Sequence, residues 1–511
     1  MHYTTLKSQC DALRRNRNLF YSLENKLLKH PGIKNANRAT NFAVKVPTSI
    51  YYSAIIEKFY IDLAIKNRHE TNQRIKAAPN TFLHVMTRSH NHGGHTRLVE
   101  RWIDAVPQDQ HHSLALTNQK KPLPTKIQFL LNQTKLNSVY KLNPSDTLVK
   151  RANKLRAIAQ PFENIILHHH MDDPIPLMAF SPTNSIWRIF VLNHAGHLFW
   201  LGRAIASHVI DLETGQNTIT QKKRGIQSSS IFQIPAGEIQ EITAAQKLLA
   251  RKNLSLPQEN KILVTMASQY KTITTEDLNF TEAVETILRK QADTIFIGIG
   301  IQPSTKIWAK IQRNFSGRVI LTGVLNHQVI SEYLRSADLY LDSYPMSSWI
   351  SMLDAVAKAG LPVLSLKTSI GHPLFISDTE AVCTSPDQLI KKSILHLTDS
   401  RCRKSLQKIL RKNIFKHNSN AVFQEQFAQL LKKNIPISGN LSESFNTKAR
   451  DYPLDLLRLS IFQASVKKKL FLGLPGFIGL GVNTDHQVIT YSLVIFRKSI
   501  HLFSVPNSLC K

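Results

Sequence analysis

The segment Ala337–Leu366, ADLYLDSYPMSSWISMLDAVAKAGLPVLSL, carries the most regular pattern in the chain. An apolar run ends at Asp342, and apolar residues then recur at helical spacing over Trp349–Ala359. Gly360 is expected to end that helix, because glycine tolerates the left-handed conformation common after a helix, and Pro362 opens a second apolar run. A strand, a helix and a second strand in so short a segment predict a βαβ unit with parallel strands.

The turn between that strand and that helix is a candidate anion site. Ser347 or Ser348 is expected to cap the helix, since a serine oxygen accepts hydrogen bonds from the free N–H groups of a first turn. Those N–H groups and the helix dipole favour a phosphate at this position. Asp354, further along the helix, is placed to accept hydrogen bonds from ribose hydroxyls; the alternative is a solvated acid that only complements the dipole.

Similar patterns fill most of the chain and form two successive series. Strands with interposed helices predict parallel sheets that are buried on both faces and that bind ligands beyond the carboxyl ends of their strands. We therefore predict an α/β fold with two Rossmann-like doubly wound domains facing one another across a cleft. The expected strands are Phe82–Thr87, Ser113–Thr117, Asn164–His168, Arg188–Asn193 and His208–Leu212, then Ile262–Ala267, Thr294–Gly300, Val319–Val324, Leu339–Asp342 and Pro362–Leu366.

These patterns divide the chain into four parts. A helical extension is expected over residues 1–75, interrupted at Pro31-Gly32. Residues 76–245 are predicted to form the first Rossmann-like domain and residues 246–436 the second. The tail, residues 437–511, fits an extra strand pair, a docking segment or a poorly ordered end.

The charge of the chain is strongly unbalanced. Among 511 residues, 65 are Lys or Arg and 35 are Asp or Glu, which gives a formal net charge of +30. Such a field attracts nucleic acid, an anionic membrane surface or a phosphorylated substrate, and charge that only keeps the protein soluble is the alternative. The basic residues are dispersed rather than gathered in a stripe with aromatics, which argues against nucleic acid as the partner.

The sequence also bears on the compartment. The N-terminus lacks the apolar core of a signal peptide, and no apolar run approaches the roughly 18 residues of a membrane span. The four cysteines lie far apart without a CxxC pair, which argues against a disulfide framework and against a zinc cluster. We expect a soluble cytoplasmic protein.

Histidine-rich turns follow three strands of the first series. They contain His90, His92, Gly93, Gly94 and His95; His168, His169 and His170; and His194 and His197. No cysteine or acidic cluster accompanies them, so we predict no metal site. Histidine can act as a general base near neutral pH. His194 and His197 are the first candidates for that role, followed by His95 and His169.

The segment 337–366 resembles the donor-binding region of GT-B-fold glycosyltransferases, above all the protein O-GlcNAc transferase group and related bacterial enzymes. Those enzymes share an aspartate at a strand end, a turn of small residues, and a D-x-x-x-x-G-x-P-V helix and strand. The corresponding positions here are Asp342, Pro345, Asp354, Gly360, Pro362 and Val363. The resemblance covers about residues 80–435 and implies the GT-B fold, with an acceptor domain followed by a donor domain.

The resemblance implies roles for individual residues of the donor domain. In the related enzymes the turn before the helix holds the donor pyrophosphate and the helix aspartate holds the ribose. These roles correspond to Ser347 and Ser348, with the bulky Trp349 beside them, and to Asp354. A lysine after the first strand of the domain pairs with the donor phosphates, which implies that role for Lys271.

A further loop, Gly323–His327, corresponds to the one whose backbone binds the nucleobase, usually uracil, and Val324 and Asn326 are its candidate donor contacts. On the acceptor side the resemblance places Gly93 and Gly94, where glycine lets a substrate approach the backbone closely. His169 is a further candidate on that side.

The expected function is therefore transfer of a hexosyl or N-acetylhexosaminyl group from a nucleotide-sugar, with UDP favoured, to an unknown acceptor, which could be a protein, a glycan or an anionic small molecule. No metal or other cofactor is expected, because Lys271 and the helix N-terminus can stabilise the departing diphosphate. Two alternatives remain at this point: a sugar-nucleotide epimerase of the same fold, and a basic nucleic-acid-binding module on a decayed enzyme fold.

Overall fold

A computed structural model of the chain describes residues 3–68, 77–91, 94–181, 187–304, 306–369, 371–433, 435, 453–472, 478–482, 488–495 and 498–506. Among the helices in these ranges, none is both long enough and apolar enough to cross a lipid bilayer.

Three helices form the N-terminal part: α1 (Tyr3–Lys29), α2 (Ile33–Lys45) and α3 (Ala54–Lys66). The break between α1 and α2 falls at Pro31-Gly32, as the sequence predicts, and the side chain of Ser53 caps α3 by accepting from the N–H of Ile56. Phe20, Ile56 and Tyr60 are buried in the core of the following sheet. The extension is therefore packed on the rest of the protein by apolar burial.

The first α/β unit contains a seven-stranded parallel sheet in the order β3-β2-β1-β4-β5-β6-β7. Its strands are β1 (Ala78–Met86), β2 (His111–Leu116), β3 (Ser138–Lys141), β4 (Phe162–His168), β5 (Arg188–Asn193), β6 (His208–Asp211) and β7 (Ser229–Ile231). Its helices are α4 (Gly94–Ala105), α5 (Thr125–Asn132), α6 (Leu148–Ala159), α7 (Ile175–Ala179) and α8 (Thr214–Lys222).

The second unit contains a six-stranded parallel sheet in the order β10-β9-β8-β11-β12-β13. Its strands are β8 (Lys261–Met266), β9 (Thr294–Ile299), β10 (Val319–Gly323), β11 (Leu339–Leu341), β12 (Val363–Leu366) and β13 (Val382–Cys383). Its helices are α9 (Ala244–Asn253), α10 (Phe280–Lys290), α11 (Lys306–Asn314), α12 (His327–Ser336), α13 (Trp349–Ala359), α14 (Pro386–Thr398) and α15 (Ser400–Asn418).

Both sheets follow the doubly wound order, in which the chain moves outward from the first strand in one direction and then resumes on its other side. Ligands bind to such sheets at the carboxyl ends of the strands, near the point where the order reverses. In the first sheet this point lies between β1 and β4, and in the second between β8 and β11. The predicted fold class, two Rossmann-like units with a helical N-terminal extension, is confirmed.

The chain then returns to the first unit. Helix α16 (Asn420–Lys432) buries Phe423 and Phe427 against Trp102 of α4, with ring centroids 5.0 and 5.2 Å apart. Helix α17 (Pro453–Leu472) packs on α1 through Leu456 and Leu459. The tail also contains an antiparallel sheet in the order β14-β15-β16: β14 (Ile478–Val482), β15 (Val488–Ile495) and β16 (Lys498–Pro506).

Candidate functional site

A cavity of about 450 Å³ lies between the two units, and its walls come from both. It lies beside the turns that follow β1, β5, β8, β10 and β11, at the carboxyl ends of the two sheets, where doubly wound folds bind ligands. The predicted site residues that line it are Gly94, His95, His194, His197, Lys271, Val324, Ser347, Ser348, Trp349 and Asp354.

The N-terminus of α13 forms one wall, and its cap differs from the prediction. Ser348 occupies the N-cap position but makes no capping hydrogen bond with its side chain. Instead, Asp342 Oδ1 accepts from the N–H of Ser348 at 2.9 Å, and the hydroxyl of Ser348 lies 3.1 Å from that of Ser343. The serine cap is therefore wrong. A carboxylate is the stronger acceptor for a helix N-terminus, and the end of β11 places one there.

Lys271 lies in a short turn after β8, within the cavity wall. Its Nζ donates to the backbone carbonyl of Ser347 at 2.8 Å, so the lysine is held against the α13 turn. Burial lowers the pKa of Lys271, and the nearby carboxylate of Asp342 opposes that shift. The geometry places a buried amine next to the predicted pyrophosphate position.

Asp354 is the centre of a buried ion-pair cluster that joins the two units. Its Oδ1 lies 2.6 Å from Arg101 Nη2 and 3.1 Å from Lys358 Nζ, and its Oδ2 lies 2.9 Å from Arg97 Nη2. Arg97 and Arg101 belong to α4 of the first unit. Burial by itself would raise the pKa of Asp354, but Arg101, Arg97 and Lys358 together lower it to about 2. The carboxylate is therefore charged in the folded protein, and its burial excludes the solvated acid considered from the sequence.

One oxygen of that carboxylate keeps acceptor capacity. The contact of Oδ2 with Arg97 has the distance of an ion pair but not the alignment of a hydrogen bond, and within the described residues Oδ2 accepts no hydrogen bond. Asp354 is 1 % exposed and lines the cavity. A ligand hydroxyl in the cavity could thus complete its bonding.

Histidines form the opposite wall. The rings of His95 and His194 stack with centroids 4.0 Å apart, and His197 lies nearby. Burial lowers the pKa of His194 and His197 to about 3 and that of His95 well below its usual value, so all three rings are neutral at pH 7. His95 Nε2 and His194 Nδ1 make no hydrogen bond within the described part of the chain.

The other predicted residues lie around the cavity rather than on its surface. The side chain of Asn326 caps α12 by accepting from the N–H of Val329, whereas Val324 beside it is 58 % exposed. His169 is buried behind His194, and its Nε2 donates to the carbonyl oxygen of Leu201 at 2.8 Å. Gly93 lies outside the described residues.

Gly94, at the start of α4, lies against the first turn of α13 in the second unit. A Cβ at Gly94 would lie 3.6 Å from Ile350 Cγ1, in ordinary contact with the first turn of α13. Among the described residues, no group of three or more His, Cys, Asp or Glu side chains has an arrangement that could hold a metal ion.

Two residues of this site, Arg97 and Arg101, are not among those predicted from the sequence. A signal was available, because these arginines are four residues apart on the amphipathic helix that follows the glycine turn and therefore lie on one face. Their partner, however, is more than two hundred residues away, and no local pattern identifies it.

No protein-family model and no curated protein sequence matches the chain. Its structure is similar to solved structures of glycosyltransferases. A mutant O-GlcNAc transferase from Thermobaculum terrenum matches 89% of this chain and 83% of its own length, with a TM-score of 0.50 and 11% identity. A glycosyltransferase from Rickettsia africae matches 69% of this chain and 99% of its own, with a TM-score of 0.51 and 11% identity.

The Anabaena protein HepE, in complex with UDP and glucose, matches 68% of this chain and 99% of its own length, with a TM-score of 0.51 and 12% identity. At such identities the similarity establishes the fold alone. Together with the two facing doubly wound sheets and the cleft between them, it establishes that the chain has the GT-B fold.

Proposed function

We propose that the chain is a glycosyltransferase that moves a sugar from a uridine nucleotide donor to an acceptor in the interdomain cleft. The second unit, with the sheet β8–β13, would hold the donor, and the first unit, with the sheet β1–β7, the acceptor; α16 falls within the predicted donor domain 246–436 but packs on the first unit. The fold of the solved glycosyltransferases supports this assignment, and HepE is a GT-B neighbour solved with UDP and glucose bound. The proposed transferred group is a hexosyl or N-acetylhexosaminyl group.

The observation that carries the proposal is a set of buried polar atoms around one cavity that make no hydrogen bond in the part of the chain that the structure describes, one of which, Asp354 Oδ2, is in an ion pair with Arg97. Asp354 Oδ2, His95 Nε2 and His194 Nδ1 all belong to cavity-lining residues and lack hydrogen-bond partners within the described residues. Buried polar groups without hydrogen-bond partners are rare in folded proteins, and a polar ligand can satisfy such groups when it binds beside them. A hydroxyl-rich sugar nucleotide offers donors and acceptors for all three.

The donor wall has the chemistry that a nucleoside diphosphate requires. Lys271 and the turn at Ser347 and Ser348 would contact the diphosphate, and Asp354 Oδ2 would accept from the ribose. Tyr270 and Val324 are 57 % and 58 % exposed at the cavity, so they offer apolar surface for the base. The backbone of the loop around Val324 and Asn326 would select uracil.

The acceptor wall would supply the base. His95, His194 and His197 are neutral, so each has a ring nitrogen that can accept the proton of an acceptor hydroxyl. A bound diphosphate would place negative charge near these rings and raise their pKa values, which strengthens them as bases when the donor is present.

Incubation of the protein with UDP-sugars alone distinguishes the transferase hypothesis from the epimerase hypothesis. We expect no interconversion of the sugar, and release of UDP that increases when a suitable acceptor is added. Interconversion of one UDP-sugar into another without acceptor would instead support the epimerase.

Activity should survive excess EDTA. Lys271 and the N–H groups of α13 provide positive charge to the departing diphosphate, which is the task of the metal ion in metal-dependent transferases. UDP release would be measured with and without EDTA at matched ionic strength. Complete loss that Mn²⁺ restores would contradict this expectation.

We also propose that an anionic membrane surface is a partner. Helix α15 contains no acidic residue, and its solvent face carries exposed Arg401, Lys404, Lys408, Lys412 and Lys416. On the same helix Ile409 and Phe415 are 40 % and 50 % exposed. A helix face that combines basic and apolar side chains favours the interface of an anionic bilayer over nucleic acid, because the apolar groups enter the acyl region.

Replacing Lys404, Lys408 and Lys412 with alanine should weaken binding to phosphatidylserine vesicles by about 1 kcal/mol per lysine. Cosedimentation measures this, with neutral phosphatidylcholine vesicles as reference. The matched control replaces the exposed Lys252, Lys290 and Lys310. An equal loss of vesicle binding in both variants would contradict a specific role for α15. Binding of the wild-type chain to random RNA but not to vesicles would support the nucleic-acid alternative.

A further inference from the structure

Three buried histidines on the first sheet are joined through their side chains. His84 lies on β1, His112 on β2 and His168 at the end of β4, and the exposed fraction of each is 0%. His84 Nε2 lies 2.8 Å from His112 Nδ1, and His84 Nδ1 lies 2.9 Å from His168 Nε2. The rings therefore form a continuous hydrogen-bonded chain, the histidine chain.

The register of the sheet gives the direction of the histidine chain. His112 pairs with Phe82 on β1 and His168 pairs with Met86, while His84 lies midway between these two positions. Alternate residues of a strand share one face, so the three rings lie on one face of the sheet and follow a diagonal. The diagonal begins near the amino end of β2 and ends at the carboxyl end of β4, the edge that faces the cleft.

The rings are fixed in place by aromatic contacts. Trp102 of α4 packs edge-to-face on His84 and on His168, with centroids 6.0 and 5.9 Å apart, and Phe82 stacks on His112 at 4.7 Å. Burial lowers the pKa of His112 to about 3 and the pKa values of the other two well below the usual range, so the chain is neutral. Each ring therefore carries one N–H.

The outer end of the histidine chain determines which nitrogen of each ring carries that proton. His112 Nε2 lies 3.3 Å from Gln110 Oε1, a carbonyl oxygen that can only accept, so His112 Nε2 must donate. His112 Nδ1 then accepts from His84 Nε2, and His84 Nδ1 accepts from His168 Nε2. All three rings are thus Nε2–H tautomers. The last nitrogen of the histidine chain, His168 Nδ1, is unprotonated and carries a free lone pair.

That lone pair has no hydrogen-bond donor within the described residues. The neighbouring His95 forms a hydrogen bond from its ring to the backbone of His168, and its own Nε2, at the cavity, is also unpaired. The histidine chain therefore ends, as a base, next to the histidine pair formed by His95 and His194.

We propose that the histidine chain is a proton relay between the cleft and the Gln110 end of the sheet, with His168 Nδ1 as its receiving atom. The inference rests on the proposed function, since the proton is the one that His95 or His194 removes from the acceptor hydroxyl. His84, His112 and His168 touch no substrate, so they are positioning residues that act through the cleft histidines.

The transfer balances without any further reactant. A proton arrives at His168 Nδ1, the Nε2 proton of His168 moves to His84 Nδ1, and the Nε2 proton of His84 moves to His112 Nδ1. The Nε2 proton of His112 passes to a solvent water beside Gln110, a partly exposed residue, because the amide oxygen of Gln110 orients this N–H but is too weak a base to take its proton. One proton enters and one leaves, and no charge stays buried. After the products leave, the reverse sequence takes a proton from solvent at the Gln110 end and releases one to water in the open cleft, which restores the starting tautomers.

The tautomers can be measured without any activity. Long-range ¹H–¹⁵N spectra of the full chain with ¹⁵N-labelled histidine, assigned by comparison with His84→Phe and His112→Phe, should show an Nε2–H tautomer for all three rings. Gln110→Leu removes the fixed acceptor and should produce a mixture of tautomers at His112. An Nδ1–H tautomer at His84 or His112 in the wild-type chain would overturn the proposal.

Kinetics test the relay itself. His84→Phe keeps an aromatic ring but interrupts the chain, and we expect kcat to fall about tenfold or more, with the donor KM unchanged and a larger solvent deuterium isotope effect. His208→Phe is the matched control, since His208 is a buried histidine of β6 whose ring nitrogens lie 2.9 and 2.7 Å from Ser228 and Ser230.

Equal kcat values for His84→Phe and His208→Phe would overturn the relay. The melting temperatures of the two variants, compared with that of the wild-type chain, show whether a lower kcat comes from loss of folding. Failure of the wild-type chain to bind any nucleotide-sugar would contradict the proposed function instead, and the spectra would still decide the tautomers.

Discussion

Replacing Lys271 with alanine should reduce turnover by about 10²-fold, the loss typical of one charge partner that acts in the transition state. The amine of Lys271 is buried and is held 2.8 Å from the carbonyl oxygen of Ser347, at the proposed diphosphate position. Negative charge on the diphosphate grows as the glycosidic bond breaks. The loss should therefore be larger in kcat than in donor affinity, and UDP release and donor titration measure the two quantities.

The control for this variant is Lys391→Ala, which removes an exposed lysine on α14. Exposed charges usually contribute less than about 1 kcal/mol, so this variant should keep wild-type turnover and affinity. Circular dichroism of both variants checks that the fold is retained. Wild-type turnover in both would remove Lys271 from the donor site and leave the diphosphate with the α13 turn alone.

Asp354→Ala should lower the free energy of unfolding by about 3–5 kcal/mol, because it leaves the buried guanidinium of Arg101 without its carboxylate. The side chains of Arg101 and Asp354 are 9% and 2% exposed, so solvent screens this pair little. The same change should weaken UDP binding about tenfold or more, since a hydrogen bond between a charged carboxylate and a ribose hydroxyl is lost. Chemical denaturation and calorimetric titration measure the two effects.

Asp338→Ala provides a matched comparison on the same unit. Asp338 is also buried and also pairs with two cations, Lys247 at 2.6 Å and Arg251 at 2.8 Å, but it does not line the cavity. This variant should lose stability and keep its UDP affinity. If the two aspartate variants bind UDP equally well, Asp354 is only an ion-pair centre between the units and not a ribose partner.

The stabilisation from Asp354 should depend on pH. Its pKa is lowered to about 2 from an ordinary value of 3.8, so the contribution is complete above about pH 4 and is lost as the pH falls towards 2. The stability difference between the wild-type chain and Asp354→Ala should therefore shrink over that range. A constant difference down to pH 2 would contradict the ion-pair assignment.

The main strands and the helices that follow them could be predicted because they are buried on both faces and form continuous apolar runs. The three strands of the parallel sheets that the sequence does not predict lie at sheet edges and are short: β3 and β7 have no fully buried residue, and β13 has two residues. Such strands lack the apolar pattern that distinguishes a strand from a loop. These segments become strands because they pair with the neighbouring strand of a sheet, and the local sequence does not encode that pairing.

The candidate site was predictable where it depends on position along a strand, and not where it depends on contacts between the units. Lys271 and the α13 turn follow strand ends, so the sheet topology brings them together. The pairing of Asp354 with Arg97 and Arg101 requires the second unit to close on α4. The bonds of His84 to His112 and His168 depend on register across three strands, and a histidine inside an apolar run gives no sign of its partners.

The most direct test of the central claim is calorimetric titration of the wild-type chain with UDP, and with GDP and dTDP for comparison, in buffer containing EDTA. We expect saturable binding of one UDP per chain, with higher affinity than for GDP or dTDP. Asp354→Ala should weaken this binding, and Asp338→Ala should not. Absence of binding heat for all three nucleotides, under conditions in which circular dichroism shows the chain to be folded, would contradict a nucleotide-sugar site in the cleft.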